Sequence, residues 1–257
     1  MYFVDLFLMF ITFSFFGWVI ETIYCSIWEK RFVHRGFLNG PVCPIYGIGA
    51  LAVGIPLSFI NVHPIANYFL VFLAGVIICT ILEYLVGVIL EKIFNLKLWD
   101  YSNFPLNING RVWIGYSLGW GFLSILLVFF INPGMTKVLA LIPANIKYII
   151  TIFLATVFIT DFVFTILNLS AISKKLDELK KLFTKLQLKL KALGEQGADF
   201  SFLSSKKDDE LENYKKLANK LSKHRIIRTF PHFTIKRFAE QLKLIKNKIK
   251  AEKNKKQ

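Results

Sequence analysis

Five stretches of roughly spanning length and almost free of charge fill the first 171 residues, at 3–27, 41–61, 66–92, 112–131 and 147–171. About 20 apolar residues suffice to cross a bilayer, and a backbone in hydrocarbon must satisfy its own hydrogen bonds. The expected fold is therefore all-α: a polytopic membrane protein with about five transmembrane helices. A hydrophobic share of 54% with 26 phenylalanines exceeds what a soluble domain of 257 residues needs.

Charge divides the chain in two. Residues 174–257 carry 24 Lys and Arg against 10 Asp and Glu, and residues 1–173 carry 8 against 7. The expected organisation is a transmembrane domain over 1–172 and a basic helical, coiled-coil-like tail over 173–257. Lys30, Arg31, Arg35, Lys92, Lys97 and Arg111 fall in the connections after the first and third segments; Lys137 and Lys147 fall in the others. Basic loops stay on the cytoplasmic side, which puts the N-terminus outside and the C-terminus in the cytoplasm of a multi-pass protein of the cell membrane. The N-terminal MYFVDLF lacks the basic start and the cleavage pattern of a signal peptide, so the first segment is expected to remain as a helix.

In the tail, Ile172, Leu176, Leu179, Phe183, Leu186, Leu190 and Leu193 recur by four and three, a heptad seam that continues the fifth segment. Gly194 and Gly197 end it, and 195–207 reads as a linker. Ser205 and Asp208 resemble a capping box for a second helix carrying Leu211, Tyr214, Leu217 and Leu221. Beyond Pro231, Thr234 opens a third. The tail's partners are anionic lipid headgroups, with self-association through the heptads also open. No nucleic-acid-binding motif accompanies the basic residues.

Three acids stand inside the apolar segments: Glu21, Glu83 and Asp161. Each costs on the order of 2.5–3.5 kcal/mol at the bilayer centre on insertion scales. They are explained by a shared polar cavity or by ordinary hydrogen bonding between helices. Arg35 and Arg111 are the cations able to reach in from the connections. Glu91 follows Glu83 by eight residues, about 80° round a helix, and either borders the same cleft or pairs at the surface. Trp18 reads as a packing or interfacial residue. Gly36, Gly40, Pro41, Pro44 and Gly47 break the chain beside Glu21, and irregular backbone at membrane depth survives only inside protein or beside a cavity. Gly115 and Gly119 form a GxxxG, either a helix-packing motif or ordinary membrane glycine. The connection 93–111 is too polar to span and too aromatic for free solvent; it reads as a broken, interfacial element.

Chemistry beyond this is sparse. The four histidines and three cysteines (Cys25, Cys43, Cys79) show no metal-ligand spacing, and neither a metal nor a cofactor is expected. No nucleophile–histidine pattern marks a catalytic residue, and no Walker motif is present, so any use of ATP would need a separate ATPase subunit.

FGWVIE (16–21), RGFLNGPVCPIYGIGA (35–50), the acids of the third segment, WDYS (99–102), PLNINGR (105–111) and SLGWG (117–121) follow one another in that order. Together they resemble the CmpB-type family of ABC-transporter type IV membrane proteins, found mainly in Gram-positive bacteria, over residues 5–170. The resemblance implies a permease-like role and makes Gly17, Trp18, Glu21, Arg35, Gly36, Gly40, Pro41, Pro44, Gly47, Trp99, Asp100, Tyr101, Arg111 and Gly121 motif positions. Three functions stay open. One is a transport subunit with an acidic intramembrane cavity. Another is a membrane-embedded enzyme acting on lipid or a lipid-linked group, with Glu91, Asp100, Arg35 and Arg111 at headgroup level. The third is a scaffold or sensor working through the tail.

Overall fold

A computed structural model describes residues 3–60, 65–94, 97–195, 209–222 and 224. It is helical, in the order α1 (Phe3–Glu29), α2 (Pro44–Leu57), α3 (Ala66–Phe94), a two-stranded hairpin of β1 (Asn107–Ile108) and β2 (Val112–Trp113), α4 (Ile114–Leu126), a π turn (Leu127–Ile131), α5 (Asn132–Ala140), α6 (Ala144–Glu195) and α7 (Asp209–Ser222). Among the described residues four helices are long and apolar enough to cross a membrane: Phe3–Glu29, Ala66–Phe94, Ile114–Ala140 and the Ala144–Leu186 part of α6.

The stretch 41–61 behaves differently from the other four. Its helix starts only at Pro44, where a missing N–H is harmless, and it is 14 residues long with Pro56 in its last turn. The preceding residues cannot wind into it, because Gly36, Gly40 and Pro41 interrupt them. The fourth stretch runs longer than the sequence suggests. Asn132–Pro133 looks like a stop, yet Asn132 N–H reaches back five residues to the Leu127 carbonyl, and this wider turn carries the helix past the proline. The fifth helix also continues, without a break, through the heptads.

The chain divides into two compact units, Met1–Lys92 with Trp99–Ile166, and Ile93–Leu98 with Leu167–Gln257. In the second unit Leu169, Ile172, Leu176, Leu179, Phe183 and Leu186 are buried along one face of α6. Tyr214 and Leu221 of α7 are buried too, and the Phe183 and Tyr214 rings lie 6.1 Å apart. Apart from Glu195, the expected linker lies outside the described residues. So do the Ser205–Asp208 cap, Pro231 and the helix from Thr234.

In the first unit, α1 and α2 cross closely. Lipid tails are as apolar as the helices, so association depends on close packing of small residues. A Cβ on Gly47 would run into the Phe10 carbonyl oxygen and Ser14 Oγ, and one on Gly17 into the Tyr46 ring. Farther along, Gly121 packs against Phe72 and Val76. The GxxxG pair does not form this seam: Gly115 faces Trp113, and Gly119 has nothing within 4 Å. Two dry clusters, Leu8–Met9–Phe13–Leu139 and Val53–Val71–Val128, fill the end of the bundle where α1, α3 and α6 begin. There Lys147 Nζ also reaches Asp5 Oδ1 at 2.8 Å.

Candidate functional site: a carboxylate pair and its overlying loop

Glu21, Glu83 and Asp161 each come seventeen or eighteen residues after the start of α1, α3 or α6, about 26 Å along the helix at 1.5 Å per residue. They therefore lie at a similar depth in the bundle, beyond the apolar clusters. Glu21 and Glu83 lie close enough to feel each other's charge.

Glu83 is only 7% exposed. Its carboxylate accepts a hydrogen bond from Trp120 Nε1 at 3.3 Å, and another from the Tyr101 hydroxyl. Tyr101 sits in the connection before the hairpin. Burial, with Glu83 beside it, holds that hydroxyl above the ordinary phenol range, so it stays a donor. Glu21 receives the Tyr46 hydroxyl, and the single S–H of Cys43 lies between two acceptors, Glu21 Oε2 at 3.7 Å and the Arg35 carbonyl at 3.2 Å. The Arg35 charge lies near Glu21 and offsets it. The Tyr46 and Trp120 rings meet edge to face at 5.4 Å, which joins the surroundings of the two acids.

Asp161 has a different set of partners. It accepts from Asn39 N–H at 3.0 Å, Asn39 Nδ2 at 2.9 Å, Gly40 N–H at 2.7 Å and Thr165 Oγ1 at 3.3 Å. It binds the irregular loop directly. On the other side, that loop runs along α1, where Val33 N–H donates to Ser26 Oγ, Arg35 N–H to Thr22 Oγ1 and Cys43 N–H to the Ser14 carbonyl. Trp18, on the same four-residue ridge, packs on His34 at 5.3 Å and borders Gly36. Its indole thus supports the loop, in keeping with a packing residue. Val33, Leu38 and Cys43 turn inward and are buried.

The second arginine is placed apart from the pair. Arg111 Nε and Nη2 both reach Glu91 Oε2, at 3.0 and 2.5 Å, and the guanidinium lies over the Tyr84 ring. Asp100 Oδ1 accepts from Ser102 N–H and Oγ, forming a turn that Gly110 closes with a positive φ of 68°. Trp99 Nε1 fastens the turn to the Arg111 carbonyl at 2.7 Å. Among the described residues no group of three or more His, Cys, Asp or Glu is arranged to hold a metal.

Three participants are missing from the residues singled out by sequence, Tyr46, Trp120 and Asn39, and a fourth, Cys43, was noted only as a cysteine without metal-ligand spacing. Tyr46 and Trp120 lie in apolar stretches where aromatic residues are common, so nothing in the sequence marked them as donors.

A family model described as "Putative ABC-transporter type IV" matches residues 8–166. No curated protein and no solved structure matches the chain.

Proposed function

The chain belongs to the CmpB-type ABC-transporter type IV family, and from that membership we propose that it is the permease-like membrane subunit of a transport system. Its substrate would meet the chain in a polar cavity around Glu21 and Glu83, with Trp18, Arg35, Tyr101 and Asp161 in its wall and Gly17, Gly36, Gly40, Pro41, Pro44 and Gly47 shaping the backbone. The observation that carries this reading is Glu83: a buried acid in a spanning helix, met by the neutral donors Trp120 and Tyr101 and neighboured by a second acid. Such an arrangement costs stability and is found where membrane proteins handle polar cargo. Arg35 offsets one of the two charges, which leaves a site suited to a proton, a metal or organic cation, or an amphiphile with a basic head.

In this reading α2 counts as a fifth membrane segment, partly replaced by its irregular approach. The basic connections face the cytoplasm, and the cavity opens on that side. The tail lies against anionic headgroups. Without a Walker motif in the chain, energy would come from a separate ATPase docking on the connections 28–40 and 93–111. Asp100 and Arg111 are engaged within their own turn and with Glu91, and no observation favours a lipid-modifying reaction over transport.

Purification from native membranes in mild detergent tests the proposal. We expect an ATP-hydrolysing subunit to accompany the chain and to be lost when the connection 93–111 is altered. A chain recovered repeatedly without any ATPase would overturn the ABC reading.

A further inference from the structure

We infer that residues 31–43 form a lid on the Glu21 site and that Asp161 is its latch, a positioning residue that acts through the loop. The inference rests on the transport reading for its purpose, but the contacts that define it stand alone. The segment has no regular secondary structure, yet both ends of its 35–43 part lie on Glu21, through the Arg35 charge and the Cys43 thiol. Its middle is held from the opposite side. Asp161 takes both the backbone and the side-chain N–H of Asn39 and the backbone N–H of Gly40. Asn39 Nδ2 also bonds Thr165 Oγ1 at 3.1 Å, one turn farther along α6.

Two of these donors are main-chain groups without a helix or strand of their own; Asn39 is exposed, but Gly40 is half-buried, and a half-buried N–H needs a partner. A carboxylate receiving several such bonds is a strong acceptor. Removing it leaves Asn39 and Gly40 to find water, and that favours a loop swung away from α6. The stitches to α1 at Ser26, Thr22 and Ser14 are single neutral bonds. They make α1 the hinge side and α6 the latch side. Gly40 fits the latch point: its hypothetical Cβ would sit 3.1 Å from Asp161 Oδ2, so a side chain there would press on the carboxylate.

Cys43 reports the lid. It is 4% exposed, and Cys79 in α3 serves as an internal control remote from the loop in sequence. With Cys25 replaced by Ser, the full chain in membrane vesicles is treated with N-ethylmaleimide, and labelling at each cysteine is followed by mass spectrometry. Asp161→Ala is expected to raise the Cys43 rate about tenfold or more while leaving Cys79 unchanged, as charge-assisted bonds of this kind imply. Asp161→Asn keeps one acceptor oxygen and should fall between. Equal protection of Cys43 in the parent and Asp161→Ala overturns the latch. Parallel unmasking of Cys43 and Cys79 also overturns it, because Asp161 would then be supporting the bundle. Labelling needs neither cargo nor ATPase, so a failed ATPase recovery and a failed latch are separate results.

Discussion

At Gly47 the backbone of α2 runs so close to α1 that a methyl group would meet the Phe10 carbonyl oxygen, whereas at Gly119 it would meet nothing within 4 Å. Gly47→Ala should therefore cost about 1–3 kcal/mol through overpacking and lower the melting temperature in detergent by several degrees. Gly119→Ala should leave it unchanged. A neutral Gly47→Ala would show that the two helices can separate without penalty. Residue by residue, what could be read in advance was what is costly. An acid in an apolar run stands out because nothing in lipid tolerates it, so Glu21, Glu83 and Asp161 were visible. Tyr46 and Trp120 were not, since aromatic residues are common in membrane helices and their donor role depends on which neighbour they face. Arg35 and Arg111 were equal candidates to meet the acids; Arg35 lies beside Glu21, and Arg111 pairs with Glu91.

Among the elements, the hairpin connection is the most tightly specified by local chemistry. Asp100, Ser102, Asn107 and Gly110 form one turn: Gly110 N–H donates to Asn107 Oδ1 at 2.8 Å, and Tyr101 N–H to the Gly110 carbonyl, also at 2.8 Å. A side chain at Gly110 would face both a left-handed backbone and the Ser102 hydroxyl. Gly110→Ala should cost about 1–3 kcal/mol locally and make the 99–113 connection several-fold more sensitive to limited proteolysis, with the spanning helices unaffected. Unchanged cleavage would mean that the turn does not need glycine. The Asn, Pro and Gly residues of this stretch announced a broken element, but not its two-residue strands. Apolar length announced the helices, but not where α2 starts or how α4 passes Pro133. Those depend on hydrogen bonds to residues five positions back, or on the neighbouring α1, and apolar periodicity carries no record of either.

For the molecule as a whole, orientation follows from the proposal that the basic connections face the cytoplasm. In a background without native cysteines, a membrane-impermeant maleimide added to intact cells should label Lys137→Cys and spare Lys30→Cys until the cells are opened. The reverse pattern would turn the molecule over and place the Glu21 lid outside. One further consequence concerns the order of synthesis. Asn39 and its partner Asp161 are 122 residues apart, so the loop emerges and must settle on α1 long before α6 exists. Until α6 is inserted, the Asn39 and Gly40 amides lack the Asp161 carboxylate. Closure over Glu21 is thus a late act of biogenesis, and a nascent chain halted before α6 would carry Glu21 open to whatever the insertion machinery and lipid present.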